Sequence, residues 1–207
     1  MKIINLFGKK ELAEKELESL YEIEKNSWSN TDLKVSKNIL GEWYKLHSQG
    51  YWVGEQNNEI VAFIYFIRLS RKDLMLKKRW KDIIENETYK FHKKNGSILF
   101  LVTIGSNIFN GENLLIREVL KEVDKGFYEG VRDIYACQKL SILNKKNDLA
   151  FSKDPKTNLL KKNKFTVISL EENDDLSDNN FKILNLLVKR KVYGVSRLRL
   201  IWRKKWC

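Results

Sequence analysis

Apolar and polar positions alternate along this chain in two distinct rhythms. Residues Lys2 to Phe7 alternate weakly and predict a first strand. From Glu11 to Trp28, Leu12, Leu17, Leu20, Tyr21, Ile23 and Trp28 recur at helical spacing between charged residues. A second helix, capped at Thr31-Asp32 and running to about His47, carries Leu33, Val35, Ile39, Leu40, Trp43, Tyr44 and Leu46; Gln49-Gly50 ends it. The rhythm then changes. Tyr51 to Glu55 and Ile60 to Leu69 read as two strands across a short polar turn. The second of them is apolar on both faces, as in a sheet covered on both sides.

Ser70 to Lys94 is polar and partly helical in pattern, with Leu74, Leu76, Trp80, Ile83 and Ile84 as its apolar stripe. Ser97 to Ile104 predicts another buried strand, Gly105 to Asn113 a turn, and Leu114 to Val123 an amphipathic helix. Gly130 to Cys137 reads as a strand. The apolar residues Leu140, Ile142, Leu143, Leu149 and Phe151 are assigned to a helical region, followed by a short helix after Asp154-Pro155. Phe165 to Ser169 is extended, Glu171 to Asp178 is an acidic turn, and Ile183 to Trp202 is of undetermined type. The order helix-helix, hairpin, strand-helix, strand-helix, strand predicts an α/β fold, and residues 1–207 are expected to form a single domain.

Composition narrows the class. The 207 residues are 43% hydrophobic and 12% aromatic, too apolar for a disordered chain despite 32% charged residues. One proline and ten glycines exclude collagen-like and low-complexity classes. Runs such as Ile60 to Ile67 fall well short of the ~18 apolar residues a membrane span requires. With no charged-then-apolar leader, a cytoplasmic address is expected. The two cysteines, Cys137 and Cys207, and the two histidines, His47 and His92, form no metal-ligating pattern, so no metal is expected; both histidines are placed on helix surfaces. Of the net charge of +12, eight units come from the acid-free segment 188–207. Its plainer reading is a solvated basic edge; contact with nucleic acid or another polyanion is the other.

The element order resembles the GNAT superfamily of acyl-CoA transferases. The matching pieces are YWVGEQNNEIVAFIYFIRL for the hairpin, SILFLVTIGSNIFNGENLLIREVLKEV for a strand-turn-helix, and RDIYACQ followed by TNLLKKNKFTVIS, over roughly residues 10–170. The resemblance implies a mixed, mostly antiparallel central sheet, flanked by helices on both faces and splayed at the cofactor strand. It also implies acetyl-CoA or a related acyl-CoA as donor. Backbone groups of Val102, Thr103 and Ile104 would hold the pantetheine arm, as a sheet edge holds a peptide. Asn107, Asn110, Gly111, Glu112 and Asn113 would place the diphosphate at a helix start, where free amides and the helix dipole favour an anion. The family turn reads Arg/Gln-x-x-Gly-x-Gly/Ala. The aligned positions here are Ser106, Phe109 and Gly111, so one glycine remains and the basic residue is missing; Arg117 or Lys121 would supply charge one turn on.

The segment Arg71 to Gly96, read as a helical insertion, together with Trp28 and the Tyr-Ala-Cys strand is similar to GNAT-like loading domains of polyketide synthases, which move an acetyl unit onto a carrier-protein thiol. Acyl transfer needs a base for the acceptor and an acid for the leaving thiolate. The family's usual acid, a tyrosine on the closing helix, is replaced by Leu160. Thr103, Cys137 and Tyr135 are the candidate catalytic residues, with Tyr65 a further replacement acid. The expected acceptor is an amine or an acidic acyl-carrier protein, the thiol being easier to deprotonate. The alternative is a non-catalytic module of the same fold that binds a partner or polyanion through its basic surface.

Overall fold

The computed structural model describes residues 1–27, 35–76, 92–143, 155–172 and 181–192. Seven strands, β1 (Lys2–Asn5), β2 (Tyr51–Gln56), β3 (Glu59–Leu69), β4 (Ile98–Ser106), β5 (Asp133–Leu143), β6 (Thr166–Glu172) and β7 (Phe181–Lys191), form one sheet in the order β1-β2-β3-β4-β5-β7-β6. Every neighbouring pair is antiparallel except β4 and β5. Among the described residues the α-helices are α1 (Glu14–Ser27), α2 (Lys37–His47), α3 (Arg71–Leu76), α4 (Gly111–Asp124) and α5 (Pro155–Lys162).

The predicted hairpin is β2-β3. Its turn residues Asn57 and Asn58 both have positive φ, 53° and 62°, the left-handed pair that a two-residue turn matched to strand twist requires and that asparagine tolerates. Helix α2 starts at Lys37, where Ser36 caps it by accepting from the Ile39 N–H at 3.3 Å; the expected cap at Thr31-Asp32 lies outside the described residues, as does Trp28.

Apolar side chains pack on both faces of the sheet. On one face Phe63, Tyr65 and Ile67 of β3 and Phe100 and Val102 of β4 pack with Leu20 and Ile23 of α1 and Leu40 and Trp43 of α2. On the other, Ala62, Ile64 and Phe66 meet Leu115, Ile116, Val119 and Val123 of α4, together with Leu160 and Phe165. This two-sided burial explains why β3 carries no polar face: helices lie over both sides of its central residues.

Three expectations are corrected. Leu140, Ile142 and Leu143 belong to β5, not to a helix. Lys139 and Ser141 alternate with Leu140 and Ile142, a period-two pattern, and a ladder with β7 running from Asp133↔Lys191 to Leu143↔Phe181 holds the segment extended. Strand β4 continues to Ser106 and α4 begins at Gly111, which shortens the turn expected over 105–113. The basic segment 188–207 is not simply a solvated edge, because residues 188–191 lie in β7 between β5 and β6. Arg190 there is buried and forms two hydrogen bonds, of 3.1 and 2.5 Å, to Asp124 at the end of α4. Residues 193–207, and 77–91 of the expected insertion, lie outside the described residues. Among the described residues no helix is long and apolar enough to cross a membrane.

Candidate functional site

Strands β4 and β5 run parallel and in register from Ile98↔Asp133 to Leu101↔Ala136, and among the described residues no pair follows. Both strands continue, β4 to Ser106 and β5 to Leu143, but β5 stays with β7 while β4 stays with β3. The two therefore part like the arms of a V. A register shift marks the same place: Phe66 faces Leu101 whereas Tyr65 faces Thr103, so Val102 is an extra residue, a β-bulge. A bulge bends its strand and sharpens its twist, which turns β4 away from β5 where the pairing stops.

The bulge also sets where side chains go. Thr103 lies opposite Tyr65 on the face that α1 and α2 cover, and the extra residue Val102 buries its side chain in the core on that same face. The Thr103 hydroxyl donates to Glu24 Oε2 at 2.8 Å, and both Thr103 and Glu24 are buried. Ile104 returns to the α4 face. Helix α1 lies close along this stretch: a Cβ on Gly105 would overlap Ser27 Oγ and sit 2.9 Å from Ile23 Cγ2. Asn26 Nδ2 donates to Asn107 Oδ1 at 3.1 Å.

The turn that follows is tightly built. Ser106 Oγ accepts the Ile108 N–H at 3.1 Å, the Asn107 N–H donates to the Val61 carbonyl at 2.9 Å, and the Gly111 N–H donates to the Ile108 carbonyl at 3.2 Å. Asn110 is left-handed, with φ of 59°, and its side chain makes no cap hydrogen bond. The first helical bond runs from Leu114 N to Asn110 O, so the amides of residues 111–113 precede the ladder at the positive end of α4. Phe109 is fully exposed at the tip. Gly111 is required by the protein itself: a Cβ there would overlap Ser106 Oγ and lie 2.8 Å from Ile108 Cγ1. Arg117 and Lys121 both pair with Glu118 on the surface of α4.

The candidate catalytic residues separate. Thr103 lies within the V. Cys137 is the first β5 residue beyond the last pair, while Tyr135, opposite Phe100, lies before the parting with its ring in the core under α1 and α2. Tyr65 donates its phenolic proton to the Trp43 carbonyl at 3.0 Å, and Tyr51 donates to the Leu40 carbonyl at 2.9 Å, so both hydroxyls anchor α2 to the sheet. Burial, with Tyr65 and Glu24 near, pushes the Tyr51 phenol well above its usual range. Leu160 is buried in the core on the α4 side.

Glu24 was not legible as a site residue from its type alone, but its spacing is a signal. It follows Leu17 and Leu20 at the seven- and four-residue intervals of the stripe that α1 buries, where an acid needs a partner.

A second polar cluster lies at the far end of β3. The His47 and His92 rings are 4.5 Å apart, and neither sits on an exposed helix face as expected. His47 is buried, and its Nε2 has no hydrogen-bond partner. Burial, then the adjacent His92 and Arg68, push its pKa down to about 3; burial and Arg68 take His92 to about 4. Arg68 donates to the carbonyls of Gly96 and Glu129 at 3.0 and 2.7 Å. Tyr128 accepts from Trp52 Nε1 and donates to the Gln49 carbonyl at 2.9 and 2.7 Å. The pairing Arg68↔Leu99 puts this cluster at the paired end of β4, away from the V.

Comparison by sequence finds no matching family model and no matching curated protein. Solved structures do match. The loading GNATL domain of CurA from Lyngbya majuscula superposes with a TM-score of 0.64 at 16% identity, over 88% of this chain and 96% of that domain. The GphF GNAT-like decarboxylase, solved with isobutyryl-CoA, gives 0.67 at 15% identity, over 93% and 100%. A GNAT superfamily phosphinothricin acetyltransferase from Sinorhizobium meliloti, solved with AcCoA, gives 0.56 at 12% identity, over 90% and 89%. A seven-stranded sheet with a bulged β4, its parting from β5 and a helix start at the end of β4 thus accompanies matches across nearly the whole chain: the protein has the GNAT fold.

Proposed function

We propose that this protein is an acyltransferase that takes a short acyl group from coenzyme A and passes it to an amine or to a carrier-protein thiol. The observation that carries the reading is the parting of β4 from β5 after Leu101↔Ala136, next to a helix start. A parted strand offers main-chain donors and acceptors to an amide-rich arm. Val102, Thr103 and Ile104 are the residues proposed to line that arm. The diphosphate is proposed to lie at the start of α4, against the backbone of Gly111, Glu112 and Asn113, with the amide side chains of Asn107, Asn110 and Asn113 as donors; the Asn107 and Gly111 N–H groups are already given to the Val61 and Ile108 carbonyls. The matching structures solved with isobutyryl-CoA and AcCoA support a CoA thioester as donor. In the reaction the acceptor nitrogen or sulfur bonds to the acyl carbon, the carbon–sulfur bond to CoA breaks, and the proton lost by the acceptor ends on the CoA sulfur.

Titration calorimetry with acetyl-CoA, malonyl-CoA and isobutyryl-CoA tests the donor. Heat and a raised melting temperature with at least one thioester are expected; neither effect with any of them overturns the reading. One observation favours a non-catalytic module instead: the α4 cations Arg117 and Lys121 are already paired with Glu118. In that case CoA binding fails while retention on a polyanion column persists at moderate salt, and it is lost on removing residues 193–207.

A further inference from the structure

The turn between β4 and α4 holds two apolar residues, and the fold uses one of them. Ile108 is half-buried and closes on Gly111, where a Cβ would lie 2.8 Å from its Cγ1. Phe109 stands wholly in solvent, more exposed than any other large apolar side chain among the described residues; Phe7 follows at 64%. A phenyl ring in water forgoes the burial that aromatic side chains normally contribute, and it has no hydrogen-bonding group to satisfy there. The backbone beneath it is held nonetheless. The Asn107 and Gly111 N–H groups bind the Val61 and Ile108 carbonyls, Ser106 Oγ accepts the Ile108 N–H, and Asn26 of α1 donates to Asn107. An aromatic ring on a fixed backbone has two side-chain torsions to lose when something covers it, so it makes a contact of low entropic cost.

The same turn lacks a free cation. Set against the family turn, Ser106 stands in place of the basic residue and Phe109 in place of the first glycine. Arg117 and Lys121, one turn on, are paired with Glu118. Backbone and asparagine amides can hold a diphosphate, but they bring no full charge to it, so a nucleotide-linked ligand there needs a further source of affinity.

We propose that Phe109 is the seat of the CoA adenine, the phenyl ring stacking on the face of the base. This rests on the acyltransferase reading given above and extends it to the nucleotide end of the donor. In CoA the adenine is separated from the diphosphate by one ribose. Phe109 precedes Gly111 by two residues, so its Cα lies within ~7.6 Å of the helix start, and the side chain extends that reach. A phenyl face beside amide donors suits a flat base joined to phosphate. A lipid surface fits less well, because a single aromatic holds a membrane only with more apolar area or cations around it. The neighbours here are Asn107, Asn110, Glu112 and Asn113. Stacking on the adenine acts at the end of the ligand remote from the thioester, so it should govern KM for the donor and leave kcat alone.

Calorimetry with two thioesters tests the stack: acetyl-CoA, and S-acetyl-4′-phosphopantetheine, which has the same arm and acyl group but no adenosine. Phe109→Ala should bind acetyl-CoA about tenfold more weakly, within the range that alanine substitution gives for one base–aromatic stack. It should bind the shorter thioester as the wild type does. Phe109→Trp should retain acetyl-CoA affinity, and its fluorescence beyond the baseline of the six native tryptophans should be quenched by acetyl-CoA and not by the shorter ligand. Because the side chain is fully exposed, both variants should melt with the wild type. Unchanged acetyl-CoA affinity in Phe109→Ala overturns the stack and leaves the acyltransferase reading standing. Equal weakening toward both thioesters also overturns it, since the residue would then act on the turn. Wild-type protein that binds neither removes both readings. Where the shorter thioester gives no measurable heat, Phe109→Trp decides: quenching on saturation with acetyl-CoA supports the stack, and its absence refutes it. A Phe109→Ala variant with full acetyl-CoA affinity that no longer binds vesicles of phosphatidylcholine and phosphatidylglycerol would make the tip a membrane contact instead.

Discussion

Acidification should weaken this fold through a residue remote from the proposed chemistry. His47 closes α2, buried against His92 and Tyr128, with its Nε2 unpartnered. An imidazole in the unfolded chain takes up a proton near pH 6.5, whereas the folded one stays neutral down to about 3. Between these values the unfolded state binds more protons, so stability is full above pH 6.5 and declines as the pH falls. At pH 5, 1.5 units below the unfolded pKa, His47 alone costs ~2 kcal/mol. For a chain of this size that lowers the melting temperature by about 4–8 °C. His92, half-buried and also shifted downward, acts in the same direction. The perturbation is His47→Phe, which retains an aromatic ring against His92 and Tyr128 and removes the titration. Thermal melts followed by circular dichroism from pH 8 to pH 5 compare slopes rather than absolute stabilities, so any packing change in the variant cancels. The wild type should lose ~2 kcal/mol more than the variant over this range. Parallel curves for the two proteins would refute a buried neutral His47.

Two further outcomes follow from packing. Gly111→Val should destabilise the Ser106–Gly111 turn by about 1–3 kcal/mol through overlap with Ser106 Oγ and Ile108, and weaken acyl-CoA binding with it; a variant that melts like the wild type while losing affinity would mean that the glycine serves the ligand alone. Arg190→Met should cost ~3 kcal/mol, because it removes both guanidinium hydrogen bonds to Asp124 at the foot of α4, and Arg190→Met with Asp124→Leu should recover much of it. Urea denaturation measures both, and equal loss in the single and double variants would dismiss the pair as a tie between α4 and β7.

Much of the architecture is local and therefore readable in one dimension. The stripes of α1, α2 and α4, the paired asparagines of the β2-β3 turn and the uniformly apolar β3 each follow from a period of 3.6 or 2 and from turn chemistry. The order of those elements, set beside known proteins, was enough to anticipate a splayed sheet.

Other features depend on which distant residues meet. Leu140 to Leu143 fit either a helix or a strand until β7, some forty residues on, supplies a ladder. Arg190 belongs to a basic run until α4 brings Asp124 to it. His47 and His92, 45 positions apart, become neighbours only when the sheet and α2 are assembled. Glu24 lies on the buried stripe of its helix, but nothing nearby in the chain says that Thr103 will meet it; that depends on the pairing of Thr103 with Tyr65 and on the packing of α1 over that face of the sheet. Periodicity states which face of an element is buried. Register, bulges and long-range pairing state what that face touches, and they are set by the summed packing of elements far apart in the chain.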